Sequence, residues 1–237
     1  MARQTGRAGW QHLGGPSHVL PSNAARALVN IGLVIGAERA LVVDTGCGPR
    51  HAAEILAAVR SLTPLPLVVA NTHAHWDHFF GNAFFRADGV ADFWAHAAAR
   101  RDMAATGESQ RKAVSGVEPE MAAGDKPGTE LVLPTRLVDA DPVGLDLGGV
   151  SATLFTLGPA HTRGDLMVGA PGVLFTGDVL EEGAEPQFED ADRAGWIRVL
   201  RTLAGMGAQY PAMVPGHGRP VAAEHAARMA DAMEAGS

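Results

Sequence analysis

"THAHWDH", Thr72 to His78, places three histidines and an aspartate in seven residues, directly after the apolar run "PLPLVVAN". In an extended segment alternate side chains share a face, so His73 and His75 point the same way and can grip one ion. Asp77 and His78 are offset from that pair. If the chain turns into a helix at Asp77, those two side chains aim at a neighbouring position, and one loop serves two metals. Neutral imidazole and carboxylate donors suit zinc, iron or manganese, with the geometry completed by ligands arriving from elsewhere.

Three further candidates stand just after apolar strands, where loops at strand ends present functional groups. They are His161 in "GPAHTRGD", Asp178 in "FTGD" and His217 in "VPGHG". Each has glycine close by, which permits tight turns and close backbone approach. Cys47 is the only cysteine. It excludes an internal disulfide framework and any zinc site built from several thiolates, so bound metal must rest on nitrogen and oxygen. Cys47 lies in a "DTGCG" turn with no adjacent histidine, a poor setting for a nucleophile, and no "GxSxG" elbow is present.

Around the motif, "ALVNIGLVIG" and "RALVVDTG" read as two buried strands that open the fold about a "GAER" turn. "PRHAAEILAAVRSL" has helical spacing with Pro49 in its first turn and crosses over to the strand "PLVVAN". "DHFFGNAFFR" reads as a short helix whose four phenylalanines belong to the core, "VADFWA" as a strand and "HAAARRDMAATGESQRKAV" as a longer helix. Residues 115–135, rich in Gly, Pro and charge, read as a long surface loop bordering the site. Short strands follow in "RLVDA", "VGLDLGG", "VSATLFTLG", "LMVGAPG" and "VLFTGD", then an amphipathic helix in "ADRAGWIRVLRTLAGMG", a strand in "AMVPGHG" and a closing helix. Strands followed by helices thus occur twice, and the expected fold is α/β, a four-layer α/β/β/α sandwich forming a single domain over 1–237.

Charge narrows the partners. Lys+Arg 19 against Asp+Glu 26 gives 19 − 26 = −7, with no basic run to track a phosphate backbone, so nucleic acid is not an expected partner. "MARQTGRAGWQHLGG" has no apolar h-region, and the longest apolar stretch is broken by Glu38 and Arg39, so neither a membrane span nor a secretory signal is expected and the location read is cytoplasmic. His12, His18, His51, His96 and His225 are scattered and are read as surface or structural residues. "EEGAEPQFEDAD" reads as a solvated charge run following Asp178, and Trp76 as a pocket wall or a packing residue.

The His-x-His-x-Asp-His motif, followed by a strand-end His, an Asp and a last His, resembles the metallo-β-lactamase-fold hydrolase superfamily over roughly Asn30 to His217. The resemblance implies that His73, His75 and His161 bind a first divalent ion and Asp77, His78 and His217 a second, with Asp178 bridging them. It implies two ions, zinc first and iron or manganese as alternatives. It also gives Asp44, closing "ALVVDTG", a supporting role through hydrogen bonds without metal contact. The implied chemistry is attack by a bridging hydroxide on the carbonyl of a small ester, thioester, lactone or amide, with Asp77 positioning the hydroxide and passing its proton on.

Subgroup marks separate the options. "PGHGRPV" lacks the tyrosine stretch typical of glyoxalase II-like thioesterases, and "GDVLEE" lacks the tyrosine common in lactonase relatives; the sole tyrosine is Tyr210. Asp178 stands where dedicated zinc β-lactamases usually carry cysteine or serine, which leaves lactamase activity a weak expectation. The alternatives are a mononuclear iron enzyme resembling sulfur dioxygenases and an idle metal-binding protein.

Overall fold

A computed structural model describes residues 9–24 and 27–236; the start of the N-terminal segment read for a targeting signal, 1–8, lies outside them. Two sheets face one another. The first has seven strands in chain order: β1 (Gln11–Gly14), β2 (Ser17–Ala24), β3 (Ala27–Ile35), β4 (Ala40–Val43), β5 (Leu67–Ala70), β6 (Phe93–His96) and β7 (Arg136–Val138). Pairing is antiparallel from β1 to β4 and parallel from β4 to β7. The second sheet runs β12 (Ala212–His217), β11 (Val173–Glu181), β10 (Met167–Ala170), β9 (Ser151–Phe155), β8 (Val143–Asp146), antiparallel except for the β11–β12 pair.

The period-2 alternation of strand side chains builds the layers. On β4, Leu41 and Val43 enter the core between the sheets with Val168, Phe175 and Val214, while Ala40 and Val42 face outward. β5 divides the same way, Val68 and Ala70 inward, Leu67 and Val69 outward. Both faces are buried, so these strands read as unbroken apolar runs. The outer face of the first sheet is covered by α1 (Pro49–Leu62), which starts on a proline and buries Ala52, Ile55 and Val59 at helical spacing. The second sheet is covered by α6 (Arg193–Ala204) and α7 (Glu224–Ala235) through Trp196, Leu200, Met229 and Met233. Helix, sheet, sheet, helix is the expected order.

Three expectations need correction. The fold does not open at β3, because β1 and β2 precede it, and β2 pairs with β3 along its whole length. "SHVLPSNA" carries Pro21 and four polar residues, so its alternation is too weak to read without its partner. "DHFFGNAFFR" is two short helices, α2 (Trp76–Phe79) and α3 (Asn82–Ala87), divided at Gly81. A Cβ at Gly81 would stand 2.0 Å from the Thr45 carbonyl oxygen, so the loop closes there only on glycine. Its phenylalanines do enter the core: Phe79, Phe80 and Phe85 are buried. The 115–135 span is more built than a loop. It holds α5 (Pro119–Ala123), buries Met121 beside Phe79, Phe80 and Met103 of α4 (Ala97–Ala113), and contributes no wall to the cavity described below.

One side chain ties the sheets together at the site. Asn30 on β3 is buried, and its Nδ2 donates to the carbonyls of Pro215 and Gly218, both at 2.8 Å, flanking His217. Asn30→Ala is expected to cost about 1–3 kcal/mol, because it strands acceptors away from water. Denaturant titration reads this as a lowered midpoint; an unchanged midpoint would contradict the tie.

Candidate metal centre

The seven motif residues converge where strand ends of both sheets meet. β5 delivers the loop with His73 and His75, α2 carries Asp77 and His78, the loop before β10 carries His161, β11 carries Asp178 and β12 ends on His217. Two clusters of donor atoms result, His73–His75–His161–Asp178 and Asp77–His78–His217, within each of which the donors lie within 4.8 Å of one another. The division of THAHWDH into two pairs is therefore present in the folded chain.

In the first cluster, His75 Nδ1 stands 3.1 Å from His73 Nε2 and 3.0 Å from His161 Nε2. A zinc ion at its usual distance of about 2.0–2.1 Å would space tetrahedral nitrogens about 3.3–3.4 Å apart, close to what the side chains already adopt. In the second, His217 Nε2 lies 3.4 Å and His78 Nε2 3.7 Å from Asp77 Oδ2. Asp178 stands between the two. Its Oδ2 is 3.7 Å from His73, 3.7 Å from His161 and 3.4 Å from His217, and its Oδ1 is 3.3 Å from His78. His78 Nε2 and Asp178 Oδ1 are buried with no hydrogen-bond partner. Buried polar atoms are nearly always satisfied, and these two face one another at 3.3 Å in an arrangement that a shared cation would satisfy.

Neighbouring groups set which nitrogen of each ring is offered. His78 Nδ1 faces Asp44 Oδ2 at 2.8 Å and His217 Nδ1 faces the Leu28 carbonyl at 2.6 Å, so both rings donate from Nδ1 and turn Nε2 inward. His75 is reversed: Nε2 faces Asp190 Oδ2 at 2.9 Å, leaving Nδ1 for the cluster. Asp44 also accepts from Thr72 N and Thr72 Oγ1, each at 2.8 Å. Its φ of +64° is the one positive value for a non-glycine residue among the described residues. That left-handed conformation is strained for a side-chain-bearing residue, and the strain persists where three fixed hydrogen bonds demand this carboxylate.

Two supports have no local sequence signal. Gln110 of α4 donates from Nε2 to the Ala74 carbonyl and accepts at Oε1 from Trp76 N, both at 2.9 Å, clamping the backbone on either side of His75. Asp190 sits in the charge run after Asp178, where nothing local singles it out from its acidic neighbours. Trp76 lies along a cavity of about 550 Å³ that opens onto His75, Asp77, His161, Asp178 and His217, with Thr106, Gln110, Glu181, Glu185, Gln187, Glu189 and Asp190 among its other walls. Its ring also packs partly on the neighbouring cores. Two of the histidines read as structural play that part: His96 caps α4 by accepting from Ala98 N, and His51 accepts from Cys47 N while its other nitrogen meets Ser22 Oγ at 2.6 Å.

A family model described as the metallo-beta-lactamase superfamily matches residues 25–217. The chain belongs to that superfamily. It is 31% identical over 222 residues to acyl-coenzyme A thioesterase MBLAC2 of Gallus gallus, a match covering 85% of this chain and 76% of that one. The Bos taurus protein of that name is 30% identical over 223 residues, covering 85% and 77%. Among solved structures, a metallo-β-lactamase from Hirschia baltica superposes with a TM-score of 0.74 at 18% identity, covering 95% of this chain and 97% of that one. One from Pontibacter korlensis gives 0.71 at 19%, covering 96% and 99%. At these identities the superpositions speak to the fold. No helix among the described residues is long and apolar enough to cross a membrane.

The two clusters differ in charge before any ion arrives. Burial pushes His161 down to about 4 against the pull of Asp178, and burial with His78 nearby holds His73 well below the usual imidazole range. Both are neutral at pH 7. Burial also works against a charge on His217, but Asp178 and Asp77 outweigh it and raise that ring to about 11; Asp178, Asp77 and Asp44 likewise raise His78 well above the ordinary value. These two enter as cations. Metal must displace their protons, so saturating zinc at pH 7 is expected to release about two protons per chain from the Asp77–His78–His217 cluster. Affinity there should climb as pH rises from 7 towards 11. Calorimetry in buffers of different ionisation enthalpy measures the release, and an enthalpy independent of buffer would contradict it.

Proposed function

We propose that this metal-dependent hydrolase of the metallo-β-lactamase superfamily cleaves small acyl thioesters, using two divalent ions, zinc in the first instance. The observation that carries the reading is Asp178, one buried carboxylate within 3.7 Å of four imidazole nitrogens drawn from both clusters. The similarity to acyl-coenzyme A thioesterases selects thioesters from the wider set of esters, lactones and amides. His73, His75 and His161 would hold one ion and Asp77, His78 and His217 the other, with Asp178 shared. Ions bound there would supply a water acidified towards hydroxide near neutral pH and a Lewis acid for the carbonyl oxygen.

The remaining steps fall to side chains. Asp77 faces the cavity, and although burial works against its charge, His78 and His217 keep it ionised. Its carboxylate is placed to take a proton from the attacking water and return it to the departing sulfur. The water oxygen joins the acyl carbon, the carbon–sulfur bond breaks with its electron pair on sulfur, and a carboxylic acid and a thiol result. Trp76 walls the cavity beside His75 and restricts the acyl group.

The test is metal analysis joined to a panel of acyl thioester, lactone, aryl ester and nitrocefin, with His75→Ala as the control for contaminating activity. The expected result is a thioester preference absent from His75→Ala. Asp77→Asn, assayed with zinc raised until its metal content equals that of wild type, is expected to lose about 10²–10⁴ in kcat, the usual worth of a placed general base. Metal-loaded Asp77→Asn turning over at the wild-type rate would remove its role, and a preference for nitrocefin would replace the thioester reading.

A further inference from the structure

A second cavity, of about 460 Å³, lies on the far side of the 182–192 segment from the metal pocket, between that segment and α7. Glu181, Ala184 and Glu185 line both cavities, so only this thin partition separates them. The floor is apolar, made by Pro186 and Phe188 from the segment and Met229 and Met233 from α7. Methionines adapt to varied shapes, and Phe188 remains 44% exposed although it lies against Trp196.

The charge differs between the two cavities. Glu181 and Glu185 border both, the carboxylates of Glu189 and Asp190 belong to the metal pocket alone, and the guanidinium groups of Arg193 and Arg228 belong to the second cavity alone. Neither arginine forms an ion pair among the described residues, a state they share with Arg39, Arg50, Arg86, Arg100 and Arg101, but these two face one cavity. Arg193 donates from Nη2 to the Met233 carbonyl at 2.6 Å and lies 5.2 Å over the Phe188 ring, which fixes it in place, yet its Nε is buried without an acceptor. Arg228 is exposed and meets only His225 Nδ1, at 3.5 Å. A fixed guanidinium with an unmet donor, a free one beside it and an apolar floor between make a surface for an amphipathic anion. A group bearing phosphates is turned away from the metal pocket by its acidic rim and met by these arginines.

We propose that this second cavity seats the phosphate-bearing carrier of the thioester, with the arm to sulfur crossing the 182–192 partition so that the acyl carbon reaches the metal pocket. This rests on the thioesterase reading for its substrate, but the binding it requires is measurable without turnover. The probe is desulfo-coenzyme A, which carries the phosphates and has no thiol to bind metal. Calorimetric titration of the metal-loaded full chain is expected to show binding that Arg228→Glu weakens tenfold or more. Binding should also fall steeply with added salt. Arg228 is exposed, so its exchange leaves the fold intact, and circular dichroism verifies that. Equal affinity in wild type and Arg228→Glu, or no binding to wild type, overturns the proposal. Hydrolysis of an acyl-N-acetylcysteamine thioester, whose carrier has no phosphate, keeps the two ideas apart. If wild type cleaves it but shows no Arg228-dependent binding of the probe, the carrier site fails and the thioesterase reading stands. If no thioester is cleaved while the probe binds through Arg228, the thioesterase reading fails and the anion site stands.

Discussion

Asp178 is an acidic side chain sealed among imidazoles, and the centre is organised by that one constraint. Burial alone would force the carboxyl to keep its proton, but His78 and His217 hold it ionised, well below the usual carboxylate range. The backbone makes room for it: a Cβ at Gly216 would lie 1.7 Å from Asp178 Oδ1, so β12 can pass this close only as glycine. β11 and β12 are the parallel pair of the second sheet, and their juxtaposition puts Asp178 and His217 side by side. Ions bound in the two clusters would take over the positive charge that protons on His78 and His217 otherwise bring to this buried carboxylate.

The surrounding polar network holds the first sheet's contribution to that centre. Asp44 fixes Thr72 and His78 at once. Beneath it Asn71, Asn82 and Thr45 close a buried set: Asn82 Nδ2 donates to Asn71 Oδ1 at 2.9 Å and to the Val132 carbonyl at 3.0 Å, and Thr45 Oγ1 donates to Asn82 Oδ1 at 2.8 Å. Asn71 Nδ2 and Thr45 N both reach the His78 carbonyl. Donor directions are thus set by hydrogen bonds within the protein, which is how such supports tune a metal site. Gln110 and Asp190 do the same for His75 from outside the sheet.

Much of this was legible from residue order. The seven donors stand out because four share one short loop and the others each follow an apolar strand with glycine nearby, a local arrangement that sequence displays directly. The layered fold was legible from β4 and β5, whose unbroken apolar runs require cover on both faces. What escaped shares one property, dependence on distant partners. β2 is a strand because β3 pairs with it. Gln110 matters only through bonds to residues 34 and 36 positions away, and Asp190 through a bond to one 115 away. Asn30 acts across two sheets, over 185 and 188 positions. The 115–135 span was misjudged because its Gly, Pro and charge obscure one buried anchor, Met121.

In the proposed centre the seven donors form two separable ion sites sharing Asp178. Native mass spectrometry of the chain titrated with zinc tests this most directly, comparing wild type with His217→Ala. Two ions bound to wild type and one to His217→Ala is the predicted result. A single ion on wild type at saturation, or the loss of all bound metal from His217→Ala, would contradict it.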